Sequence, residues 1–241
     1  SNANDLPADL RLELPLPLMA APLIRDKIFL GGIVLSGGSC GAPFTREHSM
    51  LLDSVADIVA VAMGSLKDRS ALEKNYVNTM ASLMEAVEAK DSYTRGHTDR
   101  VTLFATDLAK ALGVKGTMLQ QIEWAASLHD IGKISVPDAI LQKPGPLTAQ
   151  EYAIMKAHTT QADRILKHLK YLNWARIIIR GHHERYDGKG YPDGLAGEEI
   201  PMGARIMAVV DSYDAMTSAR PYRNAMEVPA ALAEIRANAG T

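Results

Sequence analysis

The feature that most constrains the fold of this chain is a set of metal-ligating residue types, spread along segments with helical periodicity. The pair His129-Asp130 stands at its centre, and Lys133 follows closely. Five of the seven histidines and two aspartates form the set, which comprises His97, His129, Asp130, His158, His182, His183 and Asp211. Imidazoles and carboxylates are the ligands that hold catalytic pairs of divalent metals. The chain must therefore fold so that distant segments meet around one core.

Helices are predicted throughout the part of the chain that carries this set. Beyond Asp91 the apolar residues recur at helical spacing, and His129 falls on the buried side of its segment. Thr148 and Glu151 form a capping-box pattern that opens a helix predicted to carry His158. The other predicted helices cover residues 101–112, 119–129, 172–184 and a segment after Pro201 that contains Asp211. The adjacent His182 and His183 must either lie at a helix end or have different roles, because neighbouring helical residues diverge by about 100°.

The N-terminal part of the chain has a different pattern. Residues 27–36 are rich in strand formers and run into a glycine and serine cluster, whereas residues 4–22 fit irregular or edge-strand structure. The order of strand, turn and long helix resembles the last third of a GAF-type sensor domain. We predict a boundary between a sensor fragment with the start of a linker helix, residues 1–72, and a helical domain, residues 73–241.

A long helix is predicted to join these two parts. An apolar spacing of three and four runs from Leu52 to Val87, interrupted at Arg69 and Glu73. A seam of this length predicts a helix that pairs with its copy in a homodimer. It equally fits a helix whose first half packs on the sensor-like sheet and whose second half packs on the next domain. The sequence leaves both interpretations open.

Asp211 points to bound cations. It lies among apolar residues between Ile206 and Tyr213, so its carboxylate needs a positive partner, either an arginine or a metal ion. The whole set favours metal, because seven potential ligands are more than one tetrahedral ion can use and indicate two ions of higher coordination. Asp130 is placed to bridge them.

Composition limits the class of partner. A net charge of -2 and a pI near 6.4 give no general attraction to duplex nucleic acid or an anionic membrane. We therefore expect a small anionic ligand that is held by local charges. With 241 residues, of which 47% are hydrophobic, the chain can bury one sizeable domain and a smaller piece.

Cysteine usage and the absence of an apparent anchor suggest a cytoplasmic protein. The single Cys40 excludes an internal disulfide and a thiolate zinc site, which fits a reducing compartment. We expect no apolar run near the roughly 20 residues that cross a bilayer. Ser1-Asn2-Ala3 is typical of a cleaved tag, so further domains are expected in the natural protein.

Residues 91–224 resemble an HD-GYP domain, a branch of the HD metal-dependent phosphohydrolases that cleaves the bacterial messenger cyclic di-GMP. The matching motifs are Tyr93-Thr94 to His97, His129-Asp130-Ile131-Gly132-Lys133, His158, His182-His183-Glu184 to Gly190-Tyr191-Pro192, and Asp211 through Asp214 to Arg220-Pro221-Tyr222-Arg223. The resemblance covers more than half of the chain. It implies a mainly α fold, an HD-type helical bundle around a binuclear metal site, joined by the long helix to a small α+β GAF-like fragment.

The resemblance also implies roles for individual residues. All seven residues of the set would bind metal, with Asp130 as the bridge. Tyr93 stands where some members have a glutamate that helps to bind a third metal, so a two-metal site is predicted. Iron or manganese is the predicted metal, and nickel and zinc suit the same ligands. Catalytic roles are implied for Asp130 and Lys133, and substrate-binding roles for Lys133, Gly190, Tyr191, Arg220 and Arg223. The alternative for the arginines is solvent-facing charge, and for residues 188–192 a plain tight turn.

The predicted reaction is hydrolysis of a phosphodiester bond of cyclic di-GMP to linear pGpG, with GMP as a further product. Two cations can activate a water molecule, aim it at phosphorus and neutralise charge on the phosphate. A second hypothesis is a catalytically weak module that senses cyclic di-GMP or docks a diguanylate cyclase (GGDEF) domain. A third keeps the hydrolysis and changes the substrate to another cyclic dinucleotide or a nucleotide monophosphate.

Overall fold

The protein is mainly helical, and the candidate ligands lie on its helices or at their ends. The computed structural model describes residues 17–37, 43–90, 96–219 and 224–241. The strands are β1 (Leu18–Arg25) and β2 (Ile28–Ser36). The helices are α1 (Arg46–Lys90), α2 (His97–Ala111), α3 (Gly116–Leu128), α4 (Asp138–Leu141), α5 (Ala149–Lys156), α6 (His158–Leu166), α7 (Asn173–Gly181), α8 (Met202–Thr217) and α9 (Val228–Ala237). Short 3-10 segments span Ile131–Ser135, Lys170–Leu172 and Gly197–Glu199. The predictions for Cys40, Tyr93, Arg220 and Arg223 lie outside the described residues.

The chain divides into two compact units, Ser1–Asn75 and Tyr76–Thr241. In the first unit, β1 and β2 form an antiparallel hairpin. The connecting residues Asp26 and Lys27 have φ angles of 50° and 65°, as a two-residue turn of type I′ requires. The strand predicted over residues 27–36 is thereby confirmed. The GAF-like character of this unit and the functional boundary between residues 72 and 73 stay predictions.

One face of α1 packs on the hairpin. Leu52, Ala56 and Ala60 are buried against Ala21 and Leu23. A spacing of four places the three α1 residues on one stripe of the helix. In the first half of the predicted apolar seam, Leu52 and Val59 pack on the sheet, whereas Val55 and Leu66 are 41% and 67% exposed. The interpretation in which this half packs on the sheet is therefore confirmed only in part.

The rest of the α1 surface in this unit is unusually apolar. Within Arg46–Ser82, an 18-residue window has a mean hydropathy of 1.5, and 22% of that window is buried. By length and composition alone, this helix can cross a membrane, so the expectation that no apolar run has this length was wrong. A single helix of this kind is weak evidence for a membrane span, because helices of soluble proteins pass the same test.

The second unit has its own core, in which α2 packs closely on α3. Val101, Ala105 and Ala109 are fully buried on one stripe of α2, and small side chains on such a stripe let two helices approach. The apolar face predicted for this helix is confirmed at Val101 and Ala105. It was wrong at Leu112, which is 59% exposed, because the helix ends there and Gly113 follows in a left-handed conformation.

The segment around His158 consists of two helices where the sequence predicted one. The capping box is confirmed, with the Glu151 amide donating to Thr148 Oγ1 at 3.3 Å and the Thr148 amide donating to Glu151 Oε2 at 2.7 Å. The helix it opens, α5, ends at Lys156, and the Ala157 amide closes it by a bond to the Ile154 carbonyl oxygen at 3.2 Å. His158 then begins α6, which packs against the 3-10 segment Ile131–Ser135. The prediction that His158 belongs to the capped helix was therefore wrong.

Candidate metal centre

Two groups of three candidate ligands lie inside the helical unit. They are His97, His129 and Asp211, which we call the first triad, and His158, His182 and His183, which we call the second triad. Within each triad, the ligand atoms lie within 4.8 Å of one another. One ion with bonds of about 2 Å can contact three atoms at this spacing after small side-chain shifts.

Three of the histidines are oriented by the backbone of their own segments. In His129, His158 and His182, Nδ1 donates to the carbonyl oxygen three residues earlier, at 2.8, 2.8 and 2.6 Å. A carbonyl oxygen can only accept, so each Nδ1 carries a proton and each Nε2 keeps its lone pair. Histidines that bind metals through Nε2 are commonly held in this way.

Asp214 holds His97. Nδ1 of His97 donates to Oδ2 of Asp214 at 2.7 Å, and Asp214 also accepts two hydrogen bonds from Arg100. Burial raises the pKa of Asp214, but the hydrogen bonds from His97 and Arg100 outweigh it and lower that pKa well below its usual range. Burial lowers the pKa of His97, but Asp214, Asp211 and Asp130 together raise it above its usual value. The surroundings of His97 therefore favour positive charge near its Nε2.

In each triad, two imidazole nitrogens face one another. His97 Nε2 lies 3.3 Å from His129 Nε2, and His158 Nε2 lies 3.5 Å from His182 Nε2. When both rings of a contact are neutral and carry their proton on Nδ1, two Nε2 lone pairs face one another. A shared cation converts this repulsion into attraction. The donor set therefore fits divalent metal ions.

Burial keeps the second triad neutral. It lowers the pKa of His158 below the usual value, lowers that of His182 much further, and lowers that of His183 to about 4. Neutral imidazole is the form that binds metals. The adjacent His182 and His183 reach one site because α7 ends at Gly181, and their ring centroids lie 3.9 Å apart. The helix end that the sequence offered as one explanation for this doublet is confirmed.

Asp130 lies between the triads. Its Oδ2 is 3.5 Å from His129 Nε2, and its Oδ1 is 3.8 Å from His158 Nε2. Lys133 places its Nζ 2.7 Å from Oδ2 of Asp130. Burial raises the pKa of Asp130, but Lys133 and the neighbouring histidines hold it well below its usual value. This carboxylate, with one oxygen toward each triad, is arranged to bridge two ions.

Gly132 lets Asp130 and Lys133 approach the second triad. A Cβ atom at this position would collide with the carbonyl group of His158 and lie 2.8 Å from the amide nitrogen of Ala162. Only glycine therefore allows the 3-10 segment to lie this close to the start of α6. The glycine of the His-Asp-Ile-Gly-Lys motif thus positions the residues on both sides of it.

Glu184 anchors the glycine-rich loop. It is 4% exposed, and its carboxylate accepts hydrogen bonds from the amides of residues 193–195 at 2.6, 3.1 and 3.0 Å. A Cβ atom at Gly190 would collide with the backbone of Glu184 and Arg185. Gly190 therefore has a packing role in a loop that is held against the end of α7.

Tyr191 and a lysine border the second triad. The Tyr191 ring lies against His183, with centroids 4.9 Å apart. Lys156 Nζ lies 5.6 Å from the centre of the Tyr191 ring and 5.1 Å from that of Tyr152. Burial raises the pKa of the Tyr191 hydroxyl, which therefore stays neutral. Aromatic edges and a positive charge suit a ligand that carries bases and phosphates.

All seven predicted ligands thus converge in one unit, with Lys133 and Tyr191 beside them. Their roles toward metal and substrate stay predictions. The sequence analysis gave no role to Asp214 and did not identify Arg100. A signal was present for both, because Asp214 follows Asp211 by three residues and Arg100 follows His97 by three, which places each pair on one helix face. The sequence allowed an arginine as the partner of Asp211. In this region Arg100 pairs with a carboxylate, but that carboxylate belongs to Asp214.

Comparison with known proteins identifies the family. A family model described as HD domain matches residues 56–241. The chain belongs to the HD domain family. The resemblance of its motifs to the HD-GYP branch is thereby confirmed, whereas the GAF-like resemblance of the N-terminal part stays a prediction.

Two curated HD domain relatives differ in their named substrate. The cyclic di-GMP phosphodiesterase response regulator RpfG of Xanthomonas campestris pv. campestris is 42% identical over 177 residues, which cover 73% of this chain and 47% of the relative. The 3'3'-cGAMP-specific phosphodiesterase 2 of Vibrio cholerae is 41% identical over 145 residues, which cover 59% of this chain and 28% of the relative. The chain thus spans less than half the length of either relative.

A solved structure shares the fold. The crystal structure of a cyclic GMP-AMP specific phosphodiesterase from V. cholerae matches with a TM-score of 0.53 at 17% identity, over 68% of this chain and 44% of that chain. The predicted HD-type, mainly helical fold is confirmed by this match and by the family assignment.

Proposed function

We propose that this protein is a metal-dependent phosphodiesterase that hydrolyses a phosphodiester bond of cyclic di-GMP to linear pGpG and, in a further step, GMP. The observation that carries the proposal is the pair of triads on either side of Asp130, each with its ligand atoms within 4.8 Å. The relative RpfG, named as a cyclic di-GMP phosphodiesterase, supports the choice of substrate.

The two triads and Asp130 are the residues that would hold two divalent ions. We propose iron or manganese, with nickel and zinc as the other ions that imidazole and carboxylate ligands accept. Bound there, such ions would activate water for attack on phosphorus and offset charge on the phosphate.

The side chains around the triads would position the substrate. Lys133, 18% exposed and paired with Asp130, is placed to contact a phosphate oxygen as a compact positive charge. Tyr191 would border one base, and Gly190 supports the loop that carries it. Arg220 and Arg223 would add forked donors for a second phosphate, as the family motif implies.

Turnover of cyclic di-GMP by the purified chain with added Mn²⁺ or Fe²⁺ tests the proposal. Asp130→Ala should reduce kcat by at least about 100-fold, the upper end of losses seen for indirect metal-supporting residues. Asp107→Ala, an exposed change on α2, is the control and should turn over normally. Tight binding of cyclic di-GMP without cleavage, in the presence of both ions, would instead identify a sensor module.

The substrate has a specific second candidate. Relatives of 42% and 41% identity are named for cyclic di-GMP and for 3'3'-cGAMP, so similarity alone does not choose between them. Parallel measurement of kcat/KM for both dinucleotides and for pGpG makes the choice. A preference for 3'3'-cGAMP of tenfold or more would replace the proposed substrate while leaving the chemistry intact.

We also propose that α1 pairs with its copy in a homodimer. Its exposed side bears Leu51, Val55, Ile58 and Leu66, spaced by three, four or eight residues, and Ile58 is 70% exposed. Such spacing suits a helix-helix seam. Ile58→Glu should convert a dimer to a monomer in light scattering, whereas the exposed neighbour change Asp57→Asn should not. A monomeric unmodified chain that binds lipid vesicles would favour a membrane role for this surface.

The remaining proposals concern location and a protein partner. We place the protein in the cytoplasm, because a lone cysteine and metal ligands of His and Asp type suit a reducing compartment. We propose that the loop of residues 188–192 docks a diguanylate cyclase (GGDEF) domain, and the 80% exposed side chain of Lys189 makes this loop accessible. Lys189→Glu should weaken capture of a GGDEF domain, and unchanged capture would contradict the docking site.

A further inference from the structure

A partly buried series of hydrogen-bonded side chains joins α2 to α8 next to the first triad, with Arg100 40% exposed and Asp214 buried. Asp214 is 2% exposed and accepts from Nδ1 of His97 at 2.7 Å. Arg100 donates to the same carboxylate through Nε at 2.6 Å and through a terminal nitrogen at 3.0 Å. The terminal nitrogen of Arg100 also donates to Oγ of Ser218 at 3.0 Å. The Asp214 side chain is therefore restrained by hydrogen bonds from both His97 and Arg100.

This arrangement makes His97 unlike His129, His158 and His182. Those three rings rely on carbonyl oxygens of their own segments, so their orientation follows from local backbone structure. His97 relies on a side chain from another helix. Its orientation therefore depends on Asp214 being charged and correctly placed.

The charge of Asp214 also acts on the ligand atom. A carboxylate that accepts the Nδ1 proton increases the electron density of the ring and strengthens donation from Nε2 to a cation. A backbone carbonyl does this more weakly, because it carries no net charge. The effect is local to the first triad, to which His97 belongs.

We propose that Asp214, which Arg100 holds by two hydrogen bonds, is a positioning residue that increases the affinity of the first triad for a metal ion. The proposal rests on the metal centre proposed above. Loss of the Asp214 charge should lower the affinity of the first triad for its metal ion by about 10- to 100-fold, the range for partners of metal-bound histidines. The affinity of the second triad for its ion should be unchanged.

Titration of the metal-stripped full chain with Mn²⁺ tests the proposal. The unmodified protein should bind about two ions per chain with the electron paramagnetic resonance signature of a coupled pair. Asp214→Asn should bind about one ion at the original affinity, and the spectrum should become that of isolated Mn²⁺. An amide at this position accepts through one oxygen only, so it cannot make all three hydrogen bonds to His97 and Arg100, and it carries no net charge.

A matched control separates positioning from helix docking. Asp163→Asn removes the charge from another arginine–carboxylate pair, in which Arg176 of α7 donates to one oxygen of Asp163 in α6 at 2.7 and 3.0 Å. It should lower stability and leave the two-ion titration and the coupled spectrum unchanged.

A second variant covers the case in which Asp214→Asn does not fold. Arg100→Lys keeps the positive charge and removes the forked pair of donors. It should therefore lower the metal affinity of the first triad to a smaller extent than Asp214→Asn. Two ions at unchanged affinity in either folded variant, or equal weakening of both ions, would overturn the proposal. An unmodified chain that binds fewer than two ions would instead overturn the proposed binuclear centre.

Discussion

Lys133 Nζ lies 2.7 Å from Oδ2 of Asp130, the carboxylate that stands between the two triads. The ammonium group is thus held where a phosphate oxygen would approach. Lys133→Met should lower kcat on cyclic di-GMP by about 100-fold or more, as for the loss of a donor that stabilises transition-state charge, while both ions are retained. Steady-state kinetics with metal analysis measure this. Lys189→Met, on the exposed loop, is the control, and equal kcat values in the two variants would contradict the assignment.

Removal of metal should destabilise the second unit. The facing Nε2 atoms at 3.3 and 3.5 Å repel one another when both rings are neutral, and a metal ion between them removes this repulsion. At a free ion concentration of 100 times Kd, each bound ion adds about 2.7 kcal/mol to the free energy of unfolding. Calorimetry with and without a chelator should show a fall in Tm that added Mn²⁺ reverses. A Tm that is insensitive to chelator and Mn²⁺ would rule out tight metal binding.

Glu184→Ala should loosen the glycine-rich loop. The change leaves the amides of residues 193–195 without their carboxylate partner, and unpaired buried donors cost about 1–3 kcal/mol each. Part of that cost is recovered where water reaches the loop, so a net loss of about 2 kcal/mol is expected in urea unfolding. Faster proteolysis within residues 187–195 should accompany it. Glu198→Ala, which removes an exposed partner of Arg205 and Tyr186, should leave both measurements near the unmodified values.

Gly132→Ala should destabilise the protein by about 1–3 kcal/mol, as overpacking of a tight contact does. The new Cβ atom would push the 3-10 segment away from the His158 carbonyl group and carry Asp130 out of place. Metal affinity should fall together with stability. Gly181→Ala is the control, because a Cβ atom there meets only Ala204 at 3.4 Å and Glu184 at 3.8 Å. Unfolding curves in which the two variants coincide would refute the steric argument.

The convergence of the seven candidate ligands could be predicted from the sequence because the chemistry of buried charge restricts where such residues can lie. Seven imidazoles and carboxylates on apolar helices have few stable arrangements. A helix end at the His182-His183 doublet was one of two explanations that geometry allowed, although the helix was predicted to run to residue 184 and ends at Gly181. These predictions depend on residue type and spacing, which the sequence displays directly.

Features that depend on contacts between helices could not be predicted with the same ease. The break between α5 and α6 follows from the packing of His158 against the 3-10 segment, and Thr148 with Glu151 gave no sign of it. The role of Asp214 depends on α8 lying beside α2, which its position after Asp211 suggests only once the site is known. On α1, the expectation of no apolar run long enough to cross a bilayer was wrong, because an 18-residue window of the helix has a mean hydropathy of 1.5.

The first triad takes one residue from each of three regions of the chain, the start of α2, the end of α3 and the middle of α8. No single folded fragment can supply it. The second triad needs only α6 and the neighbouring end of α7. The two halves of the proposed metal centre therefore depend on different amounts of the fold, and the first requires α2, α3 and α8 to be docked together.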